Sequence, residues 1–257
     1  MAPSQGHHPK QTVPMSQMSA AAPQRDPIAD RERLIVALDV ADRAEAERVV
    51  EALEDSVLFY KIGLQLTFGG GLALAEALVR AGKRVFLDVK LHDIDQTVAS
   101  AVGNIAEMGV DFVTVHGQGR AIEAAVEGRG QSPLRILAVT LLTSQGSEDL
   151  LADGVTLTVP ELVVGRARRA MEVGCDGVIA SGMEATAIRE MAGHRLLIVT
   201  SGIRSEGVPH HDQKRVTTPR QAIARGADYL VVGRQILSAE TPKAMAEQIQ
   251  SEIAAAL

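Results

Sequence analysis

VFLDVKLHDIDQTV, residues 85–98, opens as an apolar run with β-branched residues and then sets Asp88, Lys90 and Asp93 within six positions. The run reads as a buried strand. Side chains alternate along a strand, so Asp88 and Lys90 share one face and Leu87 and Val89 the other, with Asp93 just beyond in a loop. Charges at the end of a buried strand are costly unless they pair. A salt bridge closing the strand would account for the pairing, and so would a functional site; the surrounding chain separates the two.

Working outward, seven runs of the same kind accompany RVFLDVK (84–90): LIVALD (34–39), VLFYKIG (57–63), VDFVTVH (110–116), RILAVTLL (135–142), DGVIAS (176–181), RLLIVTSG (195–202) and ADYLVVG (227–233). Helical patterns lie between most of them, among them 43–54, 72–82, 98–109 and 160–174. Eight strand–helix units in about 225 residues match the rhythm of a (β/α)8 TIM barrel. We therefore expect one α/β catalytic domain over 32–257. A doubly wound open sheet is the competing fold, but no G-x-G-x-x-G follows the first strand. Residues 1–31 are rich in Pro, Gln, Ser and Met, lack periodicity and read as a disordered extension. They hold no apolar core of a secretory leader, and His7 and His8 read as solvated tail rather than a metal site.

Composition narrows the function. With 46% hydrophobic residues in 257, the chain can bury a large core, and its net charge of −6 disfavours nucleic-acid binding. No Trp, two Tyr and four Phe leave little for base stacking. No apolar run is long enough to cross a membrane. Cys175, the only cysteine, precludes an internal disulfide and fits a cytoplasmic protein; its apolar context reads as structural.

Active sites of such barrels lie at the C-terminal ends of the strands, where this chain places Asp39, Lys61, Asp88, Lys90, His116, Thr143 and Ser144. Phosphate sites usually use the loops after strands 7 and 8. Here those loops carry SGIR (201–204) and VVGR (231–234), with glycines for close backbone approach and arginines for a bidentate fork. Residues 206–215, with Gln213, and 143–159 are candidate lids. His116 reads as structural.

Taken in order, ALD, YKIG, LDVKLHDI with its D-x-K-x-x-D core, VTLLTS, SGIR, DQKR and VVGR resemble the orotidine 5′-phosphate decarboxylase family in its bacterial form, from about Leu34 to the C-terminus. D-x-K-x-x-D alone is shared with sugar-phosphate decarboxylases and hexulose-phosphate synthases; the full ordered set is more specific. The resemblance implies cofactor-free, metal-free decarboxylation of orotidine 5′-phosphate to UMP in pyrimidine synthesis. Lys90 matches the proton donor, and Lys61, Asp88 and Asp93 its charged network. Asp39 matches the ribose ligand, Thr97 and Thr143 further substrate contacts, and Arg204, Gln213, Gly233 and Arg234 the phosphate and lid contacts. It also implies a homodimer in which Asp93 and Thr97 reach the partner's site. Where the family usually continues D-I-P-N-T, this chain has Asp95 and Gln96 in place of Pro and Asn, which removes a φ constraint and adds a charge. The competing functions are an Mg2+-dependent sugar-phosphate enzyme, a Schiff-base aldolase using Lys61 or Lys90, and a non-catalytic phosphate-binding barrel. Flanking carboxylates hold a lysine charged and poorly nucleophilic, which argues against the aldolase.

Overall fold

The computed structural model describes residues 27–208 and 214–257. Eight parallel strands close into a barrel in sequence order: β1 Leu34–Ala37, β2 Phe59–Gly63, β3 Arg84–Leu91, β4 Phe112–His116, β5 Arg135–Val139, β6 Gly177–Ser181, β7 Leu197–Ser201 and β8 Tyr229–Val232. β1 pairs with both β2 and β8, so no strand edge is left open. The expected (β/α)8 barrel is therefore the observed one. Expectations for residues up to 26, including His7 and His8, and for His210, His211 and Gln213 fall outside the described residues.

Alternation along each strand sorts side chains into two cores. One set, including Val36, Ile62, Leu87, Val113, Ala138 and Ile198, packs outward under the helices. The other points into the barrel, and near the N-terminal ends it is apolar: Ile35, Phe59, Phe86, Phe112, Leu137, Leu197 and Tyr229. Phe112 sits edge-on to Phe59, Phe86 and Tyr229, with ring centroids 5.0, 5.9 and 5.3 Å away. The Arg84 guanidinium lies 4.2 Å from the Phe59 centroid and bonds Asp111 at 2.8 Å, closing this floor from below. Ile28 packs against the same cluster, so the chain joins the barrel a few residues before the expected boundary at 32.

Local signals explain some of the helix boundaries. The helix Val159–Val173 begins with a capping box in which Thr158 and Glu161 exchange hydrogen bonds, and ends at Gly174 with φ 94°. The helix read from sequence as 98–109 instead runs Asp95–Glu107, starting three residues earlier. Its N-cap is Ile94, which offers no capping side chain, so the usual start signal is missing. Asp95 occupies the first turn, where negative charge suits the helix dipole, and pairs with Arg120 at 2.8 Å. Gln96 donates to Ser100 at 3.2 Å. The two departures from the family pattern are thus absorbed within the helix start.

The regular alternation expected for β3 does not hold. Pairing steps from Leu87–Val113 to Leu91–Val115, four residues on β3 against two on β4. This bulge contains Asp88 and Lys90, and Lys90 has φ 47°, the left-handed region that side chains other than glycine rarely adopt. The two charges do meet, but through a bulge rather than through strict period-two alternation.

Candidate active site

Above the aromatic floor the inward positions of β2, β3 and β4 turn polar, while Ala37, Val139, Ile179 and Val231 stay apolar in the cavity lining. Asp39 follows β1, Lys61 lies on β2 and Asp88 on β3, and together they form a chain of charges. Lys61 Nζ is 2.9 Å from Asp39 Oδ1 and 3.4 Å from Asp88 Oδ2, while Lys90 Nζ donates to Asp88 Oδ1 at 2.8 Å. The side chains of Lys61 and Asp88 are 8% and 13% exposed, which demands that these charges be paired. Burial pulls the Lys61 ammonium down, but Asp88 and Asp39 outweigh it and its pKa ends above the ordinary value. Burial pushes Asp88 up, but Lys61, Lys90 and hydrogen bonds from Lys90 and Thr114 outweigh it and leave the carboxyl below its ordinary value. Asp88 is therefore held as a carboxylate between two ammonium groups.

These groups line one wall of a cavity of about 320 Å3 at the C-terminal ends of the strands. The same cavity is also lined by Gly202 and Arg204 from the loop after β7 and Gly233 and Arg234 from the loop after β8, with Thr143 and Ser144 from the loop after β5. Eight predicted residues thus share one cavity: Asp39, Lys61, Asp88, Lys90, Thr143, Arg204, Gly233 and Arg234. Gly202 turns the β7 loop with φ 73°. The two arginines differ. Arg234 is exposed at the start of the short helix Arg234–Leu237, whereas Arg204 is buried and donates to its neighbour Ile203's carbonyl at 2.6 Å.

Asp93 and Thr97 do not line the cavity; both are exposed. Between them Ile94 is 72% exposed, an apolar side chain facing outward beside two polar ones. The DQKR motif divides. Gln213 is not among the described residues. Lys214 pairs with Asp149 at 2.8 Å and its N–H donates to the Thr143 carbonyl at 3.2 Å. Buried Arg215 pairs with Glu184 at 2.7 Å and donates to the carbonyls of Leu141 and Leu142. These two residues tie the loop after β7 to the loop after β5, so the two candidate lids are physically joined.

Some site features are missing from the sequence reading. Gly63, within the quoted YKIG, permits close packing: a Cβ there would lie 3.0 Å from both Asp39 Oδ1 and Lys61 Nζ. Ser201, the first residue of the SGIR stretch already singled out after strand 7, also lines the cavity. Thr114 donates to Asp88 from β4, and only the inward register shared with His116 hints at that. The His116 ring lies 5.3 Å from the His92 ring, and burial, then His92, Arg166 and Lys90, hold its pKa low.

A closed parallel barrel with a paired lysine–carboxylate network at the C-terminal ends of its strands is a (β/α)8 barrel enzyme, with a charged site ready for acid–base chemistry. Comparison with known proteins then fixes the family. Residues 32–249 match the model of the Orotidine 5'-phosphate decarboxylase / HUMPS family, and the chain belongs to it. A protein of Afipia carboxidovorans named orotidine 5'-phosphate decarboxylase is 54% identical over 230 residues, 90% of this chain and 98% of that one. One of Bradyrhizobium diazoefficiens with the same name is 51% identical over 230 residues, 90% of this chain and 97% of that one. The crystal structure of orotidine 5'-phosphate decarboxylase from Lactobacillus acidophilus superposes with a TM-score of 0.75 at 35% identity, covering 86% of this chain and 99% of that one.

Proposed function

We propose that this protein converts orotidine 5′-phosphate to UMP and carbon dioxide, in pyrimidine nucleotide synthesis, without metal or cofactor. The observation that carries the reading is Asp88, a buried carboxylate whose oxygens face Lys61 and Lys90 at 3.4 and 2.8 Å beside the cavity. Loss of carbon dioxide from C6 leaves an sp2 carbanion with little delocalisation, so stabilisation must come from fixed charges. The Lys90 ammonium faces the developing carbanion and then transfers a proton to C6. Asp88 holds that ammonium in place and, beside the substrate carboxylate, presents a like charge that is relieved as carbon dioxide departs. Lys61 links Asp88 to Asp39, which in this reading orients the ribose. Thr143 adds a substrate contact.

Arg234, Gly233 and Arg204 form the phosphate end, with Gln213 as the lid amide. The phosphate is remote from C6, so its binding energy serves to close the joined loops over the substrate. Asp93 and Thr97 complete the site of a second copy in a homodimer; their exposure beside Ile94, outside their own cavity, supports this arrangement. The proposed compartment is the cytoplasm, in keeping with a single buried, unpaired thiol.

A metal-dependent sugar-phosphate reaction is the nearest rival within the family. Against it stands the donor set: the oxygens of Asp88 already serve two ammonium groups and Thr114, so a cation there would have to displace them. Incubation with orotidine 5′-phosphate in the presence of a chelator is expected to yield UMP at the same rate as without it. Activity that requires added Mg2+, or no UMP at all, would overturn the proposal.

A further inference from the structure

We propose that Thr114 is a positioning residue for the decarboxylation proposed above, fixing both members of the Asp88–Lys90 pair through one hydroxyl. Thr114 is fully buried at the middle of β4 and does not line the cavity. Its Oγ1 accepts from the backbone N–H of Lys90 at 3.0 Å and donates to Asp88 Oδ1 at 2.9 Å. Lys90 Nζ reaches that same carboxylate oxygen at 2.8 Å. The three groups form a closed ring: hydroxyl to carboxylate, ammonium to carboxylate, amide to hydroxyl.

The bulge explains why such a device is needed. Where β3 leaves its regular pairing with β4, the Lys90 N–H has no ladder carbonyl opposite it, and a buried N–H must find another acceptor. Lys90 also sits at φ 47°, a conformation that persists only when its surroundings impose it. A hydroxyl has one proton and two lone pairs, so Thr114 can take the amide proton and still donate to Asp88. Its β-branched side chain has few χ1 choices, which holds the oxygen in place. Valine is nearly the same shape but can do neither. Serine keeps the hydroxyl with a freer χ1.

The inference rests on the decarboxylase reading, and its test carries a readout independent of that reading. Thr114→Val is compared with Thr114→Ser, and Thr114→Ala serves as a second hydroxyl-free variant should valine not fold. In the hydroxyl-free variants kcat on orotidine 5′-phosphate should fall about 10- to 100-fold with KM changed by less than about threefold, and serine should restore most of the rate. The Asp88 carboxyl, followed by carbon NMR, should titrate at higher pH in the hydroxyl-free variants. One donor to the carboxylate is gone, while Lys61, Lys90 and, through Lys61, Asp39 still face it. A wild-type kcat in both hydroxyl-free variants, or equal loss in valine and serine, overturns the assignment. Should wild type fail to decarboxylate, the functional reading fails, but the Asp88 titration still decides the positioning role. An unchanged titration refutes it.

Discussion

The two ends of the barrel interior are built from the same strands two residues apart, yet they obey different rules. On β2, Phe59 belongs to the floor and Lys61 to the charge network; on β3, Phe86 and Asp88 divide in the same way; on β4, Phe112 and Thr114. The floor is stabilised by burial and edge-on rings, which tolerate repacking at a cost in stability. The upper layer holds buried charges whose value depends on complete pairing. The lesson is that one strand register can devote one layer to holding the barrel together and the next to holding a site in shape. The two layers should therefore respond oppositely to mutation.

Substitutions can break that contrast. Lys90→Ala should show the largest effect, lowering decarboxylation at least about a thousandfold in a steady-state assay while UMP binding and the thermal transition persist. Turnover within tenfold of wild type would move the chemistry away from Lys90. Phe112→Ala, one layer below, should do the reverse. It is expected to lower unfolding free energy in denaturant titration by about 3–5 kcal/mol and to leave kcat per folded molecule nearly unchanged. Arg234→Ala should weaken orotidine 5′-phosphate by about 10- to 100-fold while leaving the phosphate-free nucleoside almost unaffected, read from KM and competition. Equal weakening of both ligands would place the phosphate elsewhere. The smallest effect belongs to Cys175, which touches neither layer's function. Burial pushes its thiol up to about 12, so thiol alkylation of the native protein at pH 8 should be negligible and activity should survive the reagent.

The contrast between layers also governs how much could be read from the chain. The eight apolar runs gave all eight strands because buried parallel strands leave a continuous hydrophobic signature. The charged ends of strands 1, 2 and 3 stood out for the opposite reason: Asp39, Lys61 and Asp88 interrupt those runs. What escaped the sequence depends on backbone geometry that letters do not encode. DVKL reads as perfect alternation, so the bulge and the left-handed Lys90 were invisible. Thr114 lies inside VDFVTVH and looks like an ordinary β-former. The helix start at Asp95 was missed because Ile94 is no capping residue, and nothing in the letters of DQKR says that Lys214 and Arg215 fasten two loops together.

The account turns on Lys90 delivering a proton to C6 and, by microscopic reversibility, on removing one from the product. Incubating UMP with wild-type protein and with Lys90→Ala in deuterium oxide, and reading C6 by proton NMR, tests this directly. The expected result is exchange of the C6 hydrogen for deuterium by wild type and none above background by Lys90→Ala. Exchange that persists undiminished without the Lys90 ammonium would contradict the account.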